Sequence, residues 1–399
     1  MKFSGNASDN RGKRAAREDA YGAREETKMT AWRFDTAQGN SRTNKFAACG
    51  AVFVLVFLAL SSGLTPAQTR EETLQAIARL QGSERETKIR EGARKEGGLI
   101  WYSSTTAEDS LVLSRKFQES HPFVKVQHLR SPSEKLIERI LLESRAGSFK
   151  ADVVALPEIE LEILIRRKLL LKHAGADQQI FPANVKDSRG YWTGIYITAW
   201  ATAYNTKLVS AQAAPKAYVD LLDPKWKKLI GMDIEPYSWF VTSLRHLESR
   251  QGGAAATDYF KKLAGQEIQW RKGHSLIAQL VAAGEFSIAA EMQVHAVERL
   301  KAQGAPIEWA ALDGVIPINN VGVGITAAGS SVHAAVLFYD FLLSRAGMEI
   351  IRERRRIPTR PDVTVPYLKS YRLLPFDSQA VDSFDRYVTL FRDIFKPGS

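Results

Sequence analysis

The sequence predicts an α/β fold with a largely parallel sheet, and three observations lead to this fold class. From residue 98 onward, short apolar runs alternate with longer amphipathic segments, as they do in strand-helix-strand units. Several of the apolar runs end in small polar residues that can begin a helix. The chain has 399 residues, of which 45% are hydrophobic, and it can therefore bury two moderate cores. We expect two lobes.

The first elements can be predicted in order along the chain. Residues 69–96 are charged and place Leu74 and Ile77 on one face, which indicates a helical segment. Ser133 is a candidate N-cap and Gly147 a candidate helix end. The elements after residue 97 are predicted as strand 98–104, helix 111–121, strand 124–131, helix 133–147 and strand 151–156.

Two long extended stretches separate the later elements. Residues 192–209 and 316–326 are rich in strand-forming residues and contain few helix formers. They are typical of a pair of connecting strands, one leaving the first lobe and one returning to it. The segments between and after them predict helices at 238–250, 257–266, 274–285 and 331–351.

A third stretch, 284–296, begins as a buried strand and then places a polar residue at every second position. In a strand Glu291, Gln293 and His295 would share one face, because successive side chains alternate between faces. A carboxylate, an amide and an imidazole in a row suit a metal, an anion or a polar small molecule. The alternative is an edge-strand face that is simply exposed to water.

Small polar residues also follow three predicted strands. Ligands in open α/β sheets bind beyond the carboxyl ends of strands, where helix N-termini present free amides. Each residue alone could be an ordinary N-cap, but together they predict a cleft for an anionic or polar ligand. The residues are Ser103, Ser104 and Thr105, then Arg130, Ser131 and Ser133, and finally Tyr237 and Ser238.

The sequence gives no positive indication of an enzyme. It contains no phosphate-binding loop, no HExxH pattern and no GxSxG turn, so we predict no catalytic residues, no metal site and no cofactor. His274 beside Ser275 is not a dyad, since adjacent residues rarely face each other. The net charge of +11 is spread along the chain, and the run Arg352–Arg356 is more typical of a solvated helix face than of a nucleic-acid site. We expect no nucleic-acid partner.

The N-terminal region predicts export. Residues 46–60 form an apolar run that is short for a membrane span but suits a signal peptide, and small residues follow near Ala67. We expect cleavage there, which leaves no cysteine, because Cys49 is the only one. The alternative is an uncleaved anchor. Residues 1–45 have a disordered composition, and translation could start at Met1 or Met29.

Several segments together resemble the solute-binding proteins of ABC importers, family 1, in the group that includes ferric-iron binders. The resemblance covers residues 90–395, and its most specific motif is "DLLDPKWKKLIGM" at 220–232. Other matching segments are "GLIWYSSTTAED", "KFQESHPFVKVQHLR", "RAGSFKADVVAL", "YNTKLV" and "FYDFLLSRAGMEII".

The resemblance implies a type II periplasmic-binding-protein fold, with two α/β lobes joined by two crossover strands and a cleft that closes by hinge motion. The crossovers would fall near 201–205 and 319–326. The implied division is 1–67 as disordered region plus signal peptide, 68–96 as an N-terminal helical segment, 97–203 and 322–399 as lobe 1, and 204–321 as lobe 2.

The resemblance also bears on the ligand. Ferric-binding relatives place two consecutive tyrosines where this chain has Val294 and His295. Without these phenolates the site lacks the hard oxygen donors that ferric iron favours, so iron is not the expected ligand. Glu291, Gln293 and His295, together with Tyr237 and Trp239, would instead line a site for a cationic or polar solute, and with Arg130 for an anionic group a zwitterionic or mixed polar ligand fits better than a bare ion.

We therefore expect an exported, periplasmic solute-binding protein that is a monomer and presents a small polar or ionic solute to an ABC permease in the inner membrane. Two alternatives remain at this point: a binding protein that serves a sensor, and an enzyme on the same fold. The only pair that could serve such an enzyme is Glu291 with His295.

Overall fold

The alternation of apolar and amphipathic segments produces a mixed sheet flanked by helices. The computed structural model describes residues 66–368 and 370–397. The predicted disordered region and the apolar run 46–60 of the signal peptide lie outside these residues. Ala67, near the predicted cleavage site, lies in the first described helix, Pro66–Ala78. Among the described helices, none is both long and apolar enough to cross a membrane.

Twelve helices and twelve strands are described, together with short 3-10 turns. The helices are α1 Pro66–Ala78, α2 Gly82–Glu96, α3 Ala107–Ser120, α4 Ser133–Arg145, α5 Glu158–Arg166, α6 Tyr237–Gln251, α7 Gly253–Ala264, α8 His274–Ala283, α9 Val294–Ala302, α10 Val332–Leu343, α11 Arg345–Glu353 and α12 Phe384–Phe395. The strands are β1 Gly98–Ser103, β2 Lys125–Arg130, β3 Val153–Pro157, β4 Leu170–Leu171, β5 Thr193–Asn205, β6 Ile230–Asp233, β7 Gln269–Arg271, β8 Ile288–Gln293, β9 Ile307–Ala310, β10 Val315–Thr326, β11 Ile357–Pro358 and β12 Arg372–Pro375.

Two groups of parallel strands lie at opposite ends of the sheet. At one end β1 pairs in parallel with β2 and β3, and Ser103 lies opposite both Arg130 and Ala155. At the other end β6 pairs in parallel with β7 and β8, and Asp233 lies opposite Arg271. Because parallel strands finish at the same edge, each group presents its helix-starting loops on one side.

Between the groups run β5 and β10, the two long strands expected from the extended stretches. Every residue of both strands is buried, which explains why neither shows the polar alternation of a half-exposed strand. They pair with each other antiparallel, β10 continues to β3, and β5 continues to β8 and β9. The fold is thus two α/β halves joined by two crossover strands. The sheet is mixed and less parallel than predicted, because the crossovers run antiparallel to each other and to β3, β8 and β9.

The C-terminal helix packs on the half that contains α6 and α7. Phe391 and Phe395 of α12 lie in one apolar cluster with Phe240 of α6 and Phe260 of α7. The predicted division places 322–399 with the first lobe, whereas these contacts join its last helix to elements between 204 and 321. The lobe boundaries therefore stay a prediction, with the C-terminal segment touching both halves.

The N-terminal helical segment is anchored by buried charge. The Arg70 side chain donates from Nε to the Thr326 carbonyl at 2.8 Å and from Nη1 to Asp152 Oδ1 at 3.3 Å. Glu96 at the end of α2 accepts hydrogen bonds from the backbone N–H groups of His333 and Ala334 at the start of α10. Helices α1 and α2 are therefore part of the first α/β half and not a free leader.

Two predicted helix ends differ in the structure. Ser133 is the first helical residue after Pro132, and its side chain makes no capping hydrogen bond, so the predicted N-cap is wrong. The predicted helix 331–351 is two helices, because the chain turns at Ser344, whose hydroxyl accepts a hydrogen bond from the Gly347 N–H and begins α11. Gly147 follows the end of α4 with φ of 65°, as expected for a helix-ending glycine.

Candidate functional site

A polar cleft of about 470 Å³ lies where the helix-starting loops of the two parallel strand groups face each other across the crossover strands. The starts of α3, α4, α6 and α8 all contribute to its walls, so partly positive helix N-termini face the same space. β5 and β10 form its floor through Tyr196, Thr198, Trp200, Asn319 and Val321.

Six of the residues predicted for the site line this cleft. They are Ser104, Arg130, Ser133, Tyr237, Ser238 and Gln293. Each stands at the end of a strand or the start of a helix, which is the position that the strand-helix pattern gives it. Whether these residues contact a ligand stays a prediction.

Ser103 and Thr105 lie directly behind the cleft wall and are buried. The Ser103 hydroxyl oxygen accepts a hydrogen bond from the Thr105 N–H at 2.9 Å, and the Thr105 and Tyr196 hydroxyl groups are 3.2 Å apart. These two side chains shape the turn that begins α3. They hold Tyr196 in position and do not line the cavity themselves.

The prediction that Glu291, Gln293 and His295 share one strand face is wrong. Strand β8 ends at Gln293, and the chain continues from Val294 as helix α9, so His295 lies in the first helical turn. Glu291 is fully buried and His295 nearly so, and only Gln293 of the three lines the cleft. Alternation over five residues could not distinguish a continuing strand from a strand followed at once by a helix.

Glu291 is paired with a different histidine, His274 at the start of α8. His274 Nε2 lies 2.7 Å from Glu291 Oε2, and the other carboxylate oxygen, Oε1, accepts a hydrogen bond from the Asp233 N–H at 2.9 Å. Burial lowers the pKa of His274, but the charges of Glu291 and Asp233 outweigh it and raise this pKa to about 9. His274 therefore carries a positive charge at neutral pH and lines the cleft as an imidazolium.

His295 has the opposite character. Burial lowers its pKa well below the ordinary value, and the nearby guanidinium groups of Arg356 and Arg299 lower it further. A neutral, buried imidazole on α9 is a packing residue. The pair of Glu291 with His295, the only one that could have served an enzyme, is not formed, because Glu291 bonds to His274 instead.

Arg356 is a cleft residue that the sequence analysis missed. Only 4% of the residue is exposed, it lines the cleft, and its guanidinium lies 4.3 Å from the centre of the Tyr196 ring. Its Nε donates to Asp109 Oδ2 at 2.6 Å. The run Arg352–Arg356 was interpreted as a solvated helix face, but helix α11 ends at Glu353 and the last arginine turns inward. No periodicity in the sequence marks this change.

Asp109 holds three arginines in place around the first turn of α3. Asp109 is fully buried and forms ion pairs with Arg356, Arg354 and Arg299. Its Oδ1 lies 2.7 Å from Arg354 Nε and 3.2 Å from Arg299 Nη2. Burial would raise the pKa of its carboxyl group, but the guanidinium charges, that of Arg356 first, hold it well below its usual range. Because Arg299 belongs to α9 and Asp109 to α3, this cluster also ties the two halves together.

Two polar groups of the cleft wall have no hydrogen-bond partner among the described residues. They are the Thr106 hydroxyl and the Asn319 side-chain carbonyl, both inaccessible to solvent. Asn319 lies on crossover strand β10, and its side-chain amide donates to the Ser238 hydroxyl at 3.5 Å. A buried polar group without a hydrogen-bond partner costs free energy, so both groups are candidates for interaction with a ligand.

This geometry defines the class of protein. Two α/β halves, two antiparallel crossover strands between them and a polar cleft at the crossing make up the architecture of a type II periplasmic binding protein. The family follows from a direct match: residues 166–382, more than half of the chain, match the family model described as bacterial extracellular solute-binding protein, and the chain belongs to that family. It is therefore a bacterial extracellular solute-binding protein.

Solved structures of other proteins share this fold. The chain is similar to AfuA of Actinobacillus pleuropneumoniae with exogenous fructose-6-phosphate bound, at a TM-score of 0.66 and 23% identity, covering 75% of this chain and 99% of AfuA. It is also similar to iron-bound HitA of Pseudomonas aeruginosa, at a TM-score of 0.65 and 19% identity, covering 74% and 99%. A ferric binding protein of Campylobacter jejuni gives 0.64 and 21%, covering 74% and 99%.

One relative is similar in sequence, but its name indicates no function. An uncharacterized protein of Haemophilus influenzae is 25% identical over 272 residues, which cover 65% of this chain and 76% of that protein. The solved relatives bind different ligands on one fold. The ligand of this chain must therefore be argued from its own cleft.

Proposed function

We propose that the protein captures a small solute with an anionic group in the cleft between its two halves and delivers it to an ABC permease. The observation that carries this proposal is Arg356, a cation that is almost wholly buried and yet lines the cleft. A buried guanidinium is costly unless its donors are used, and within the described residues only its Nε donates a hydrogen bond. Its two terminal nitrogens suit a carboxylate or phosphate oxygen pair.

The surroundings of Arg356 favour the same chemistry. Its position is fixed by Asp109 on one side and the Tyr196 ring on the other, so it loses little side-chain freedom on binding. The start of α3 contributes Ser104 and the unpartnered Thr106 hydroxyl to the same wall. The free N–H groups at that helix end stabilise negative charge.

Arg130 supports a second contact to the anion from the first half. It stands at the end of β2, its side chain is exposed to the cleft, and it forms no ion pair with any described residue. The guanidinium groups of Arg356 and Arg130 together carry two positive charges. A solute that neutralises both needs either two singly charged anionic groups or one doubly charged group. Phosphate, phosphonate and dicarboxylate compounds meet this requirement.

Capture works through the second half. Tyr237, Ser238 and Gln293 face the first-half residues across the cleft, so a ligand that touches both sets binds the closed form more tightly than the open form. This differential affinity shifts the population toward closure. The reaction requires no bond to be made or broken in the solute.

Location and partners follow the same reasoning. We propose that residues 46–60 act as a signal peptide with cleavage near Ala67, that the mature protein is a periplasmic monomer, and that the closed form is recognised by the permease. N-terminal sequencing of the exported protein tests the cleavage. An exported protein that retains residue 46 contradicts it.

The ligand proposal is tested by a thermal-shift screen of phosphate, phosphonate and carboxylate compounds, followed by calorimetry. A ligand at 100 times its Kd adds about 2.7 kcal/mol of stability. We expect Arg356→Gln and Arg130→Gln each to weaken binding by at least about tenfold. Arg352→Gln, an exposed position in the same arginine run, is the matched control and should change the affinity less than about threefold. Affinity that survives both cleft substitutions overturns the proposal.

A further inference from the structure

One carboxylate that lines the cleft, Glu134, forms no ion pair with a described residue. Most charged side chains that line it are paired: His274 with Glu291, Lys272 with Glu235, and Arg356 with Asp109. Glu134, in the first turn of α4, lines the cleft and forms no ion pair with any described residue, and its side-chain hydrogen-bond partner is the neutral Ser133 hydroxyl. Its side chain remains open to the solvent in the cleft.

Glu134 also faces other acidic groups across the cleft. Asp233 and Glu235, which follow β6 in the second half, line the opposite wall. The loss of surrounding water raises the pKa of the Glu134 carboxyl group, and the charges of Glu235 and Asp233 raise it further. Like charges on facing walls oppose closure of the cleft unless a cation lies between them.

A buried carboxyl group lies immediately behind Glu134. Glu160 on α5 is 8% exposed, and its Oε2 has no hydrogen-bond partner within the described part of the chain. Burial raises its pKa to about 8, with the charge of Glu134 contributing. No described cation forms an ion pair with Glu134 or Glu160, whereas Lys272, His274 and Arg356 in the same cleft are each paired with a carboxylate.

We propose that Glu134, with Glu235 and Asp233 across the cleft, forms a subsite for a primary ammonium group of the bound solute. The solute is then a small molecule that carries both an anionic group, at Arg356 and Arg130, and an amino group. This inference rests on the proposed function and specifies its ligand class. An ammonium group has three N–H donors and no acceptor, which matches carboxylate oxygens on two walls. It also converts the repulsion between the halves into attraction, so closure depends on it.

A metal ion is the other cation that such a site could hold. Among the described residues, no group of three or more histidine, cysteine, aspartate or glutamate side chains has an arrangement that could bind one. Asp233 is already used, because its Oδ1 and Oδ2 accept hydrogen bonds from the Glu235 and Gly273 N–H groups at 2.9 and 2.6 Å. It contributes charge to the subsite. Glu134 offers carboxylate oxygens outside any ion pair, and Glu235 shares its Oε2 with Lys272 Nζ at 3.5 Å.

The test uses matched probe pairs that differ only in the amino group: O-phosphoethanolamine against ethyl phosphate, and β-alanine against propionate. Calorimetry is performed on the wild-type protein, on Glu134→Gln and on Glu138→Gln. Glu138 lies on the same helix but not in the cleft, so it controls for loss of a charge. We expect the amino member of at least one pair to bind at least about tenfold more tightly. The preference should disappear in Glu134→Gln and persist in Glu138→Gln.

Proton release provides a second readout. The groups that face Glu134 are Glu160 on α5, Asp233 and Glu235 after β6, and His274 on α8. A bound ammonium group favours the ionised form of the Glu134 and Glu160 carboxyl groups, whose pKa values are raised, and the neutral form of the His274 imidazole. The amino probe should therefore release protons at neutral pH, seen as a difference between buffers of unlike ionisation enthalpy. Glu160→Gln should reduce this release without abolishing binding.

The outcomes separate the two proposals. If both members of each pair bind equally, or if the preference for the amino member survives in Glu134→Gln, the ammonium subsite is wrong and the anion site stands. If no anion in the screen or in the pairs binds to the wild-type protein, both proposals are overturned.

Discussion

His274 Nε2 and Glu291 Oε2 lie 2.7 Å apart, with the carboxylate fully buried and the imidazole at the edge of the cleft. The two residues stand 17 positions apart, at the start of α8 and near the end of β8. Glu291 also accepts the Asp233 N–H and thereby fixes the loop that carries the second-half wall of the cleft. The pair is therefore a structural link between the cleft surface and the core.

The first prediction concerns stability and pH. The pKa of His274 is raised from the ordinary value of 6.5 to about 9, so the pair stabilises the fold fully below pH 6.5 and loses this contribution as pH rises through 9. The contribution is about 2 to 3 kcal/mol. We expect His274→Gln to be destabilised by about this amount near neutral pH and to approach the wild type above the folded pKa, measured by urea unfolding. A difference that stays constant over this range contradicts the prediction.

The second prediction concerns Asp109, whose depressed pKa gives the opposite dependence. Its ion pairs contribute stability above the unfolded aspartate pKa, and this contribution is lost as pH falls toward the folded value. We expect Asp109→Asn to cost about 3 kcal/mol at neutral pH, because three guanidinium groups lose their shared anion.

Acid unfolding checks this second prediction. The difference between Asp109→Asn and the wild type should shrink steadily below about pH 4, where the unfolded carboxyl group takes up its proton. Glu119→Gln, which removes an exposed pair with Lys116, is the control and should cost less than about 0.5 kcal/mol. A variant that is equally destabilised at all values of pH would show that the guanidinium cluster does not depend on the charge of Asp109.

The third prediction concerns the N-terminal helix. Arg70→Met removes the partner of Asp152, a carboxylate that is almost fully buried but also accepts hydrogen bonds from the Ile100 and Ser331 N–H groups. We expect a loss of about 3 kcal/mol, since a buried charge is left without its counter-ion. The double variant Arg70→Met, Asp152→Asn should recover part of it. If truncating Arg90, which forms an exposed pair with Glu86, costs as much, the reasoning fails.

Much of the fold could be predicted from local patterns. Hydrophobic periodicity predicts strands such as β1 and β3 and amphipathic helices such as α4. Long segments rich in strand-forming residues predict the two crossover strands. The pairing of Arg70 with Asp152, 82 positions away, could not be predicted, because no local signal specifies which distant charge a side chain meets. The antiparallel pairing of β5 with β10 was not predicted either, because strand pairing also joins positions that are far apart in the chain.

The candidate site was predicted less completely. Residues that begin helices after strands, such as Ser104 and Ser238, were found because their position follows from strand and helix order. Arg356, Asn319 and Glu134 were not predicted. Each lies in a sequence segment that is typical of a charged helix face or an ordinary strand, and tertiary packing alone brings it into the cleft. The prediction that Glu291 and His295 share one strand face was wrong, because helix α9 begins between them and the two-residue spacing then no longer places them on the same side.

The last prediction is that ferric iron does not form a phenolate complex in this cleft. Two tyrosines line it, Tyr196 and Tyr237, and both hydroxyl groups are engaged within the protein, the first near Thr105 and the second as acceptor from Arg392 Nη2 at 3.3 Å. The positions where ferric-binding relatives have tyrosines are Val294 and His295, which supply no phenolate oxygen.

We therefore expect no visible charge-transfer band when ferric citrate is added to the purified protein, with the Campylobacter jejuni ferric binding protein as positive control. The physical reason is that Arg356 lies over the Tyr196 ring and that Arg130 and His274 are also positive, so added Fe(III) meets cations where it needs several hard anionic oxygens. Stoichiometric iron with a band that disappears in Tyr196→Phe or Tyr237→Phe, or iron affinity that is lost in His295→Ala, would overturn this prediction and make a metal the favoured ligand.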